Sequence, residues 1–184
     1  DTTVLMGDLS WALDLQSARA DFQWMNDHIP GRKIILKGNH DYWWSTAAKF
    51  QKFCQENGFS DMAVLNNNCF DYDGYAICGW NYEEKRGTEH DEKIFKRELI
   101  RLETSLKAAG DKQKLVFLHY PPRSRGYECP EILELLTRYE VRRCFYGHLH
   151  GPSHRLALEG QHNGVDYRLL AADFINFTPQ KILP

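Results

Sequence analysis

Four times along this chain a short apolar run stops abruptly on a polar cluster, and no other feature narrows the possible folds as much. Thr3-Val4-Leu5-Met6 ends on Gly7-Asp8, and Ile34-Ile35-Leu36 ends, past Lys37, on Gly38-Asn39-His40-Asp41. Leu115-Val116-Phe117-Leu118 runs into His119, and Arg143–Tyr146 runs into Gly147-His148-Leu149-His150-Gly151. Runs of this length bounded by turn residues read as buried strands, and the unbroken 115–118 run reads as a strand covered on both faces.

Helical periodicity fills the gaps between them. Leu15, Ala18, Phe22, Met25 and Ile29 recur at three- and four-residue steps and line one helical face, which Pro30-Gly31 stops. Ser45 is expected to cap a second helix that turns Phe50 and Phe53 inward and ends at Asn57-Gly58. Residues 69–72 and 75–78 flank Asp73-Gly74, the signal of a two-residue type I′ hairpin. A polar loop, NYEEKRGTEHDE, precedes a helix with Phe95, Leu99, Leu102 and Leu106 in register. Pro130 suits the first turn of a further helix through Ile132, Leu133, Leu136 and Tyr139. Two late strands are expected near 155–158 and 165–171, joined by EGQHNG. Helices interspersed with strands, plus hairpins in the middle and at the end, predict a layered α/β fold with mixed sheets.

The totals set outer limits. A chain of 184 residues suits one domain, taken here as 1–184. Acidic and basic residues nearly balance, 25 against 23, so no strong nucleic-acid signal arises from charge. No apolar run approaches the roughly 18–20 residues that span a membrane, and no secretory leader is evident. Five cysteines without CxxC spacing read as reduced, buried thiols of a cytoplasmic protein. The chain opens on DTTVLMGD and enters a strand at once, which leads to the expectation that a segment upstream is missing.

The polar clusters carry the chemistry. Loops at strand ends are held on a rigid frame, and ligands bind there in α/β folds. Asp, Asn and several imidazoles are hard-to-intermediate donors that suit Mn, Fe or Zn. A Gly-Asp after a strand is by itself a common turn, and a single histidine is by itself a common hydrogen-bonded residue. Asn39-His40-Asp41 has no turn or capping role that needs all three, and GHLH puts two imidazoles between glycines.

GD, then GNHD, then a lone His, then GHxH, in this order from Gly7 to Gly151, resembles the calcineurin-like metallophosphoesterase superfamily, and within it the small bacterial phosphohydrolases. The resemblance implies a sandwich of two mixed β-sheets flanked by helices. It also implies a phosphatase or phosphodiesterase with two divalent ions (Mn, Fe or Zn), attacking a phosphate mono- or diester with a metal-bridging hydroxide. By position Asp8 would bridge both ions, Asn39, His119 and His148 would complete one site, and His150 would serve the other. His40 would stand by the scissile phosphate as general acid, with Asp41 orienting its ring, and Asn39 would also face the substrate. The substrate class implied is a phosphorylated small molecule or nucleotide.

Two departures stand out. The superfamily's first motif, an Asp-x-His on an earlier strand, has no counterpart, which leaves the site of His150 short of ligands. Trp11 stands where many members carry a second Asp. Arg123 and Arg125 offer a bidentate grip on phosphate or stand as solvated loop arginines, and of Trp43 and Trp44 one is expected in the core and the other beneath a pocket. The competing reading is a non-catalytic scaffold of the same fold that binds a protein partner.

Overall fold

The computed structural model describes residues 1–80 and 87–183, which form two compact units, Asp1–Asn66 and Asn67–Pro184. Part of the expected polar loop, residues 81–86, lies outside the described residues.

The first unit runs β1 (Thr2–Leu5), α1 (Arg19–His28), β2 (Arg32–Ile35), α2 (Ala47–Asn57) and β3 (Met62–Val64). Its sheet has the order β1-β2-β3 and is parallel throughout, with Leu5 opposite Ile35 and Ile35 opposite Val64. Parallel neighbours require long crossovers, and α1 and α2 supply them. Phe22, Met25, Trp43, Phe50, Phe53 and Phe59 form the core. Phe22 meets Trp43, Phe50 and Phe53 edge-on, with ring centroids 5.0, 5.4 and 5.7 Å apart. The expected helical face is there, although Leu15 and Ala18 pack from the turns preceding α1. The cap of α2 is Thr46 rather than Ser45. Its hydroxyl accepts the Lys49 N–H at 3.2 Å, and Gly58 closes the helix at φ 74°.

The second unit runs β4 (Phe70–Tyr72), β5 (Tyr75–Trp80), α3 (Glu89–Ala108), β6 (Gln113–Leu118), β7 (Arg123–Ser124), β8 (Tyr127–Glu128), α4 (Pro130–Arg138), β9 (Arg143–Tyr146), a 3-10 helix (Gly151–Leu156), β10 (Gly160–His162) and β11 (Val165–Leu169). Six strands form one sheet in the order β10-β11-β9-β6-β5-β4. The four central strands are parallel, and β4 and β10 pair antiparallel at the edges. The 115–118 run sits in the middle of this sheet with every residue buried, as its lack of alternation required. Asp73 and Gly74 take φ 47° and 79°, the left-handed pair that a type I′ turn demands.

The strand expected at 155–158 is not formed. A 3-10 helix from Gly151 to Leu156, with Pro152 in its first turn, takes that stretch, and only Ala157 makes an isolated bridge, to Ser124. The late hairpin instead closes on Asn163-Gly164, between His162 and Val165. The mixed α/β architecture holds; its mixed character lies in the six-stranded sheet, while the three-stranded sheet is purely parallel and β7 and β8 form a separate antiparallel pair. All five cysteines are free thiols, four of them buried, and burial pushes the Cys78 thiol up to about 12. No helix among the described residues is long and apolar enough to cross a membrane.

Candidate active site

Within the first unit, β1 and β2 lie side by side and end together, so the loops that follow them meet. Asp8 sits there in the left-handed region at φ 56°, and its Oδ1 accepts the backbone N–H of His40 at 2.8 Å. Aspartate tolerates this conformation better than most residues, and such positions concentrate where a side chain must be aimed. Gly38 makes the approach possible: a Cβ there would lie 2.1 Å from Asp8 Oδ1 and 2.4 Å from the Asp8 nitrogen.

Asp41 has a different partner set from the one expected. Its carboxylate is 1 % exposed and accepts from Asp8 N at 2.8 Å, Leu9 N at 2.8 Å, Ser10 N at 3.2 Å, Gly38 N at 2.7 Å and Trp43 Nε1 at 2.9 Å. Those donors use up its oxygens, so Asp41 does not orient the His40 ring. It clasps the Gly7-Asp8 loop to the Gly38–Asp41 loop and ties both to the core through Trp43. The His40 ring is instead bonded at Nδ1 to the Tyr42 hydroxyl at 2.9 Å. Trp11 stacks on its face, with centroids 4.5 Å apart and planes 21° from parallel. Trp43 is the core indole; Trp44 packs against the same cluster.

Within the second unit, β6 and β9 are parallel neighbours with Leu118 opposite Tyr146, so His119 and His148 follow on adjacent strand ends. Their rings lie 5.3 Å apart, edge to face, and the Gly147 N–H donates to the His119 carbonyl at 3.0 Å. His119 is 1 % exposed, while His148 takes φ 66°. Two residues on, His150 is exposed, and its Nδ1 lies 2.7 Å from Asp173 Oδ1. Asp173 Oδ2 accepts the Gly151 N–H at 2.8 Å and lies 3.1 Å from His154 Nε2, an ion-pair separation without an aligned hydrogen bond. The Gly151 N–H, followed by the two imidazoles, holds the Asp173 carboxyl well below the usual carboxylate range. Metal-ligating histidines commonly give their second ring nitrogen to such a carboxylate, which aims the first.

The arginines differ from each other. Arg123 lies 3.4 Å from Glu128 across the β7–β8 hairpin, with its guanidinium over the Tyr167 ring. A carboxylate and an aromatic face already engage it, whereas Arg125 is exposed. Sequence reasoning passed over Tyr42, Trp11 and Asp173 as site residues. A position two residues after His40 was the available signal for Tyr42; for Asp173, 23 positions beyond His150, there was none.

Among the described residues no group of three or more His, Cys, Asp or Glu side chains is set up to hold a metal ion. By donor chemistry, the carboxylate of Asp8, the amide of Asn39 and the imidazoles of His119, His148 and His150 suit Mn, Fe or Zn, and the Asp173 contact gives His150 the setting of a ligand.

A family model described as calcineurin-like phosphoesterase matches residues 1–152. Comparison with curated proteins gives no match. Among solved structures the chain is similar to TT1561 of Thermus thermophilus, with a TM-score of 0.56 at 16% identity, over 82% of this chain and 70% of that one. At that identity the likeness speaks for the fold.

Proposed function

The chain belongs to the calcineurin-like phosphoesterase family, and from that premise we propose that it hydrolyses a phosphate mono- or diester with two divalent ions and His40 as general acid. Asp8, Asn39, His119, His148 and His150 are the proposed metal ligands, and Asp8 would serve both ions. When bound, such ions polarise the phosphate and activate water at neutral pH. Mn, Fe or Zn fits the donor set.

The observation that carries the reading is the bond from His40 N–H to Asp8 Oδ1. It ties the proposed bridging carboxylate to the backbone of the proposed acid. A leaving alkoxide needs a proton, and His40 has an imidazole nitrogen to give one. Asp41 keeps the loops of both residues in register through backbone N–H groups. Asn39 is a neutral ligand and leaves the site more cationic for an anionic substrate. Arg125 is exposed and is the proposed phosphate grip, while Arg123 faces Glu128 at an ion-pair distance without an aligned hydrogen bond. A phosphorylated small molecule or nucleotide is the proposed substrate, and reduced thiols favour the cytoplasm as the compartment. A single catalytic domain over residues 1–184 is part of the proposal.

His40→Asn is expected to slow hydrolysis of an alkyl phosphate by about 10²–10⁴-fold, the usual contribution of a general acid. An activated aryl phosphate leaves without a proton and should lose much less. Metal content, read by elemental analysis, should stay at the wild-type level. Equal losses on both esters with metal retained would remove His40 from the acid role. No hydrolysis of any phosphate ester by the metal-loaded wild type would leave the scaffold reading.

A further inference from the structure

We propose that Tyr42 and Trp11 are the positioning residues of His40, a hydroxyl on one edge of the ring and an indole on its face that together present Nε2 to the leaving group. The inference rests on the acid role assigned to His40 above. A general acid works only if its proton points at the departing oxygen, so both the plane of the ring and its rotation within that plane must be set. Trp11, stacked at 4.5 Å and 21°, sets the plane. Tyr42, at 2.9 Å from Nδ1, sets the rotation. Among the described residues the ring's hydrogen bond and its aromatic contacts come from these two residues, and Nε2 makes no hydrogen bond.

Neither ring earns its place through the core. Trp11 is 68% exposed and Tyr42 51% exposed, so both leave a large apolar surface in water. Asp41, the residue next to His40, cannot substitute, because its oxygens are committed to the loop N–H groups and to Trp43.

A hydroxyl also fits the chemistry. As the P–O bond breaks, its electron pair moves to the leaving oxygen, which takes the proton from Nε2. The N–H electron pair stays on the ring, and Nδ1 keeps its own proton. The Tyr42 oxygen accepts from Nδ1–H before and after the transfer, so the ring stays in place throughout.

The test uses the full chain loaded with Zn²⁺, which is diamagnetic, in wild type and in the Tyr42→Phe, Trp11→Ala and Trp11→Phe variants. Both altered side chains are largely exposed, so folding should survive. Stacked under an indole, the His40 ring protons resonate upfield; the signals are identified by their loss in His40→Asn. The upfield shift should collapse in Trp11→Ala, shrink in Tyr42→Phe as the ring swings, and largely persist in Trp11→Phe. Turnover of an alkyl phosphate should fall about 10-fold in Tyr42→Phe and Trp11→Ala, a fraction of the full acid contribution, with KM nearly unchanged. Aryl phosphate turnover should hold, and Trp11→Phe should recover most of the loss. An unaltered ring shift in both Tyr42→Phe and Trp11→Ala would overturn the proposal. So would a lost shift with the alkyl-to-aryl ratio unchanged. If the wild type hydrolyses neither ester, the phosphoesterase reading fails, and the ring shift alone decides whether the two residues hold His40.

Discussion

At the scale of single residues, Asp41 shows how much one buried carboxylate can organise. Its oxygens collect four backbone N–H groups and an indole N–H, drawn from two loops that are about thirty residues apart in sequence. An ionised carboxylate is acceptor-only, which is what a site lined entirely by donors requires. In Asp41→Asn the amide NH₂ must face one of the two donor sets, leaving at least two N–H groups opposed by another donor. Each buried unsatisfied group costs about 1–3 kcal/mol, so the variant should lose at least ~2 kcal/mol. Urea denaturation measures this directly, and an unchanged midpoint would refute the account. Asp173 does similar work on a smaller scale at His150 and Gly151.

At the scale of elements, the second unit depends on the fit of β5 against β6. Gly79 pairs with Phe117 at φ 151°, and a Cβ there would lie 1.8 Å from the Phe117 carbonyl oxygen. Its N–H donates to Ser105 Oγ at 3.0 Å, and that hydroxyl donates to the Asn68 carbonyl at 2.6 Å, which docks α3 on the strand. Gly79→Ala should push the two strands apart where the sheet is most buried. Overpacking a well-filled core costs about 1–3 kcal/mol and more when backbone must move, so a loss of at least ~3 kcal/mol is expected. A thermal melt within a degree of wild type would show that the strands yield more easily than this contact implies. At the C-terminal ends of β6 and β9 the same close pairing sets His119 beside His148.

At the scale of the whole molecule, the proposed metal ligands come from four separate loops along the chain. Residues so far apart in sequence cannot form a site in the unfolded state, so a bound ion should stabilise the native one. At about 100-fold excess over its dissociation constant a ligand adds about 2.7 kcal/mol, which for a chain of this size is on the order of 5–10 °C in Tm. Excess Mn²⁺ should therefore raise Tm by roughly that much, and His148→Ala should abolish the response. A variant that keeps the full metal shift would take His148 out of the ligand set.

What the sequence determined by itself was local. Apolar runs marked β1, β2, β6 and β9, three-and-four spacing marked the apolar face of α1 and the run of α3, and Asp73-Gly74 specified its turn. Each is a statement about one stretch of backbone, decided by neighbours a few residues away. The motif residues at the strand ends were legible for the same reason: the strands that carry them were. Where local signals were ambiguous, reading failed by small steps, as at Ser45 against Thr46 and at the strand expected over 155–158. Only the tertiary structure decided what each polar atom touches. Asp41 turned from His40 to the β1 loop, Tyr42 and Trp11 took the imidazole, Asp173 reached His150 from 23 residues on, and Glu128 claimed Arg123. A carboxylate or imidazole bonds to whichever donors strand register and loop packing bring within about 3 Å, and that proximity is a property of the packed chain rather than of any segment of it.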